Sequence, residues 1–129
     1  MFSRLERERS LLNGVFNEDR TTLTVSKSEV FHLSKNYPFH PPTLKIHSKE
    51  YVAYLTKWYR TVAHHCKKYN IEMECLCCTT LICAWSPCNT CKQMYDEYIS
   101  YRDKLRVVTV ISKLPFDDHV GSIIASFIV

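Results

Sequence analysis

Leu81-Ile82-Cys83-Ala84-Trp85-Ser86-Pro87-Cys88-Asn89-Thr90-Cys91 is the stretch on which the fold of this chain turns. From Met73 to Trp85 both parities are mainly apolar. Leu76, Cys78, Ile82 and Ala84 fall on one, and Cys75, Cys77, Leu81, Cys83 and Trp85 on the other. That pattern predicts a strand buried on two faces. Pro87 stops it, since proline fixes its own φ and has no N–H to give a ladder. A helix is expected at once over Asn89–Arg102, with Cys91, Met94, Tyr95, Tyr98 and Ile99 inward. Leu105–Ile111 is β-branched and apolar on both parities, so it reads as a second short buried strand.

Upstream, apolar residues at Tyr51, Leu55, Trp58, Tyr59, Val62 and Cys66 recur in steps of three and four. They predict one helix over Glu50–Tyr69, with Ser48 as its N-cap. Helix, buried strand, helix, buried strand is the alternation of an α/β layered domain. Nearer the start, Ser3–Leu12 reads as a charged helix with Leu5, Leu11 and Leu12 on one side, ended by Gly14. Thr21–Val25 and Glu29–Leu33 read as a hairpin of two strands. Tyr37-Pro38-Phe39-His40-Pro41-Pro42 cannot be helical and predicts a stiff extended corner. His119–Val129 is apolar and fits helix or strand equally.

With 129 residues, 46% hydrophobic and 23% charged, the chain is expected to fold as a single domain over 1–129. No apolar run reaches the ~18 residues of a membrane span. Arg4, Glu6, Arg7, Glu8 and Arg9 are followed by no apolar segment, so a cytoplasmic or nuclear chain is expected rather than a secreted one. Seven cysteines, an odd count, argue against a disulfide framework and leave buried thiols, metal ligands or a nucleophile. A net charge of +4 permits a polyanionic partner without demanding one.

Cys88 and Cys91, two thiols one helical turn apart at a helix start, have the spacing to grip one zinc. His47-Ser48-Lys49-Glu50, at the expected start of the earlier helix, could bring further donors. The ordered set of a His/Glu helix, a buried strand and Trp85-Ser86-Pro87-Cys88-Asn89-Thr90-Cys91 resembles the zinc-dependent cytidine deaminases, and among them the AID/APOBEC-like branch. The resemblance covers Ile46 to about Phe116. It implies a three-layer fold with a central mixed sheet flanked by helices, and a chain cut short at its C-terminus relative to the family. It also implies one zinc per chain held by His47, Cys88 and Cys91, with Glu50 moving the proton. Trp85, Ser86 and Phe116 would contact the base, and single-stranded DNA or RNA would be the substrate. The chain departs from the family in separating His47 and Glu50 by two residues instead of one. A member without catalysis would be a zinc-stabilised binding module.

A different pair of motifs gives a different resemblance. Tyr37-Pro38-Phe39-His40-Pro41-Pro42, followed much later by Trp85-Ser86-Pro87, resembles the ubiquitin-conjugating enzymes. That resemblance implies Cys77 as the thioester-forming cysteine, with Asn70 nearby. It also implies no room for a twenty-residue helix between the motifs, where Glu50–Tyr69 reads as one. Cys77 moreover falls in the middle of the expected buried strand, where a thiolate is disfavoured.

Overall fold

In a computed structural model, residues 2–69, 71–73, 80–113, 119 and 123 are described. Helix α1 (Phe2–Leu12) opens the chain. Its inward face is Leu5, Glu8 and Leu12, whereas Leu11, expected beside them, is exposed. The turn that ends α1 places Asn13 in the left-handed region, at φ 52°. Gly14, expected there, has an ordinary φ and serves a close approach. A Cβ on it would lie 2.7 Å from Leu23 Cδ1 and 3.1 Å from the Thr24 carbonyl oxygen.

Five strands follow: β1 (Val15–Phe16), β2 (Thr22–Thr24), β3 (Glu29–His32), β4 (Thr43–Ile46) and β5 (Lys49–Glu50). They form one antiparallel meander in chain order. The register aligns Phe16, Leu23, Phe31 and Leu44 across four strands, and Thr24, Val30, Lys45 and Glu50 across another four. Because side chains alternate along a strand, the first row faces the core and the second faces water. Leu23, Phe31 and Leu44 are almost wholly buried, each stabilising the fold by about 2 kcal/mol.

Helix α2 (Tyr51–Lys68) buries Tyr51, Leu55, Trp58, Val62, His65 and Cys66, close to the expected stripe. Its N-cap position is held by Glu50, without a side-chain cap, and not by Ser48. Ser48 and His47 instead make the two-residue turn between β4 and β5, both with positive φ (67° and 50°). That geometry suits a tight hairpin.

Helix α3 (Cys91–Lys113) corrects the expected strand at Leu105–Ile111. Those residues continue one helix. Met94, Tyr98, Tyr101, Leu105 and Val108 are spaced by four, three, four and three, and all pack inward or partly so. This helical period overrides the β-preference of Val107, Val108, Thr109 and Val110. Of the expected strand Met73–Trp85, Met73 and 80–85 are described and none is strand; 80–84 are turn and bend, with the Thr80 carbonyl accepting from the Cys83 and Ala84 N–H groups. The remainder, 74–79, lies outside the described residues, as does most of 114–129.

The architecture is therefore mixed α/β. Among the described residues the sheet is wholly antiparallel, not the mixed sheet expected, and the helices pack on one face of it. The outer row carries Thr22, Thr24, His32, Thr43 and Lys45, which favour water over a second helical layer. The main core joins α1, the inner sheet face, the start of α2 and the first half of α3. A second cluster, Trp58, Val62, Cys66 and Val108, ties the far ends of α2 and α3 together. Among the described residues no helix is long and apolar enough to cross a membrane.

Candidate functional site

The segment before β4 turns back on itself instead of running extended. The Tyr37–Pro38 peptide is cis, and the Phe39 and His40 N–H groups both donate to the Asn36 carbonyl. Tyr37, Pro38 and Pro42 are buried, while Phe39 stands 73% exposed.

The turn at Trp85–Thr90 closes on this segment. The Trp85 indole N–H donates to the Pro38 carbonyl at 2.7 Å. The Tyr37 and Trp85 rings lie 6.2 Å apart in a tilted arrangement. The turn is held locally by the Asn89 side chain, which accepts from the Ser86 N–H at 2.8 Å. Helix α3 then starts in a capping box. Thr90 Oγ1 accepts from the Gln93 N–H at 3.2 Å, and Gln93 Oε1 accepts from the Thr90 N–H at 3.0 Å.

Beneath the turn, α1 contributes a buried carboxyl group. Glu8 is 1% exposed. The Tyr37 hydroxyl donates to Glu8 Oε1, as does the Cys91 backbone N–H at 3.2 Å. The Cys91 thiol lies 3.8 Å from Glu8 Oε2 and 3.6 Å from the Tyr37 oxygen. Arg4 completes the junction. It donates to the Pro87 carbonyl at 2.5 Å and to the Asn89 carbonyl, and sits over the Tyr37 ring at 5.5 Å. Burial, then the neighbouring Glu8, pushes the Cys91 thiol well above its ordinary pKa. Burial, then Cys91, raises the Tyr37 phenol in the same direction. Both stay protonated at neutral pH.

The residues expected to hold zinc fall apart in space. Cys91 points into the core among Glu8 and Tyr37, whereas Cys88 is exposed. His47, on the β4–β5 turn, lines a groove with Val30, His32 and Lys45, on the outer face of the sheet. Glu50 is exposed at the start of α2, beside a cavity of about 120 Å³ also lined by Pro41, Pro42, Ile82 and Met94. The reason is the hairpin. One tight turn sends His47 to the side of the sheet away from Cys91. Among the described residues no three His, Cys, Asp or Glu side chains gather so as to hold a metal. Of the residues expected at the base pocket, Trp85 is partly buried against Pro38 and Ser86 is exposed beside it. Phe116, Cys77 and Asn70 lie outside the described residues.

Downstream of Cys77, the loop is pinned to α3. Glu97 accepts from the Leu81 N–H at 3.0 Å and from the Tyr51 hydroxyl at 2.9 Å. Arg4, Glu8 and Glu97 do not stand out in the sequence as site residues. Glu8 has a readable signal there, as a charge on the Leu5–Leu12 stripe of α1. The Thr90-x-x-Gln93 capping box is equally readable.

No family model, curated protein or solved structure matches the chain.

Proposed function

We propose that the chain is a ubiquitin-conjugating-enzyme-like domain, with Cys77 carrying the C-terminal carboxyl of a ubiquitin-like protein as a thioester. The observation that carries this reading is the bond from the Trp85 indole to the Pro38 carbonyl, with the Tyr37 and Trp85 rings against each other. The two motifs behind that resemblance are 47 residues apart in sequence and touch in space. Two features of the sequence oppose it: the length of helix α2 and the place of Cys77 on an expected buried strand, where a thiolate is disfavoured. Helix α2 is inserted between the motifs, yet it leaves their contact intact because it packs along α3 and the inner face of the sheet. Cys77 lies outside the described residues. The cytidine deaminase reading draws on His47, which the hairpin places on the side of the sheet away from Cys91.

Thioester chemistry needs an accessible thiol able to reach its thiolate, and an acyl group delivered as another thioester. The Cys77 sulfur would attack the carbonyl carbon of the incoming thioester, and the donor's thiolate would leave. The Glu97 carboxyl group, through the Leu81 N–H, fixes the loop four residues beyond Cys77 to α3.

The test is incubation with ubiquitin, its activating enzyme and ATP. The expected result is an adduct one ubiquitin heavier, removed by thiol reductant, absent in Cys77→Ser and retained in Cys83→Ser and Cys88→Ser. Its absence from the native protein overturns the reading. One zinc per chain with conversion of cytosine to uracil would then favour the deaminase. Zinc without turnover would favour a binding module.

A further inference from the structure

We propose that the sheet face left open by the described helices binds the phosphodiester backbone of single-stranded nucleic acid without reading its bases. An open groove of about 550 Å³ runs over this face. Lys27, His32, Lys45 and His47 line it, with the hydroxyl groups of Ser28 and Ser48 between them. Two stretches of chain, 27–32 and 45–48, bring these groups together. Lys27 and Ser28 come from the β2–β3 turn, His32 and Lys45 from adjacent strands, and His47 and Ser48 from the β4–β5 turn.

Among the described residues no carboxylate lines the groove. Among the same residues none of its four basic side chains makes an ion pair. Glu50 stands opposite Lys45 in register, but forms no ion pair with it and lines a different cavity. Two lysines without a carboxylate partner among the described residues, flanking one concavity, favour an anionic occupant.

The shape selects the kind of anion. Small-molecule sites are enclosed and mostly apolar, and bury most of their ligand. This groove is open and predominantly polar, with Val30 as its apolar floor, so it suits a chain that crosses it. Among the described residues no Phe, Tyr or Trp lines it, which removes the usual platform for base stacking. Affinity would come from displaced counterions, and would be strongly dependent on salt and indifferent to sequence. The site lies on the opposite side of the sheet from the Tyr37–Trp85 junction and does not depend on the thioester reading.

The experiment measures fluorescence anisotropy of labelled oligothymidylate and oligodeoxyadenylate, about fifteen nucleotides long, over a range of salt concentrations. For the native chain, equal affinity for the two oligonucleotides is expected, weakening steeply with salt. K27A/K45A should bind at least roughly tenfold more weakly at low salt. Its log–log salt slope should be shallower by about 1.4, at about 0.7 for each phosphate that is no longer neutralised. K57A/R60A, which removes the same charge from the exposed side of α2, should match the native chain. K27Q/K45Q repeats the test should the alanine pair fail to fold. Unchanged binding in the groove variants overturns the proposal. So does an equal loss in the α2 variant, or polyglutamate displacing the oligonucleotide as effectively as unlabelled DNA does.

Discussion

Glu8 places a carboxyl group where α1 would otherwise present only leucine, and its hydrogen bonds run to other elements. The Tyr37 hydroxyl comes from the turn before β4, and the N–H and thiol of Cys91 from the start of α3. A buried acceptor that loses its donor costs more than the bond was worth, because water does not replace it. Tyr37→Phe should therefore lower stability by about 1–3 kcal/mol, read as a lower urea midpoint with an unchanged slope. A loss within error would mean that water reaches Glu8. Glu97 is a half-buried carboxyl with a different balance. Burial raises its pKa above the ordinary 4.5, against the Leu81 N–H and the Tyr51 hydroxyl, which pull it down. A folded-state pKa above the unfolded one means that the native state binds the proton more tightly. Stability from this group is thus complete below about pH 4.5 and is lost as pH rises through the folded value. Glutamine does not titrate and keeps an acceptor oxygen. Between pH 4 and 7, unfolding free energies of Glu97→Gln should gain steadily on those of the native chain. A difference that stays flat with pH would show that Glu97 is solvated.

Among the elements, α3 shows how local preference and period compete. Leu105–Ile111 looks like a strand in a seven-residue window, since Val and Ile favour pleated surfaces. Over the longer window from Met94 to Val108 the three-and-four spacing is unbroken, and burial of that stripe outweighs the small helix penalty of each β-branched residue. The start of α3 is set by Thr90 and Gln93, each bonding the other's backbone. Thr90→Ala should cost about 1 kcal/mol and fray the turn that holds the Cys91 N–H against Glu8. Hydrogen exchange should quicken at Cys91 and Lys92 while the middle of α3 stays protected. Uniform protection throughout would show that the cap contributes nothing. Helix α2 and the β2–β3 hairpin were legible because one face of each is wet, which leaves a clean period in the sequence. The start of α2 was misplaced because Ser48 is a good N-cap residue and equally a good turn residue. Only the pairing of β4 with β5 decides between the two.

At the scale of the whole molecule, two apolar clusters share Tyr54 and Tyr101 at their boundary. Trp85 packs against the first cluster, and Trp58 belongs to the second, its indole donating to the Tyr101 carbonyl at 2.8 Å. Two clusters bridged by α2 and α3 should unfold as one unit. Each tryptophan can report alone in a variant that lacks the other. Within Trp58→Phe, the Trp85 fluorescence and the far-ultraviolet circular dichroism should share one urea midpoint. Within Trp85→Phe, Trp58 fluorescence and circular dichroism should likewise coincide. Separate midpoints in either variant would mean that the ends of α2 and α3 melt on their own.

Periodicity alone determined α1, the β2–β3 hairpin and the buried stripe of α2, because each has one face in water and one in the core. It also marked Tyr37–Pro42 and Trp85–Cys91 as the two unusual stretches of the chain. Which residues those stretches would meet was settled only in three dimensions. Cys88 and Cys91 have the spacing of a metal grip, but a capping box and a buried carboxyl group turn one thiol inward and leave the other in solvent. His47 and Glu50 are neighbours in sequence, and a two-residue hairpin directs them to different cavities. Spacing along a chain fixes which side chains share a helix face. It does not fix which side of a sheet a turn will present, because that depends on strand register, and register is set by the burial of Leu23, Phe31 and Leu44 together.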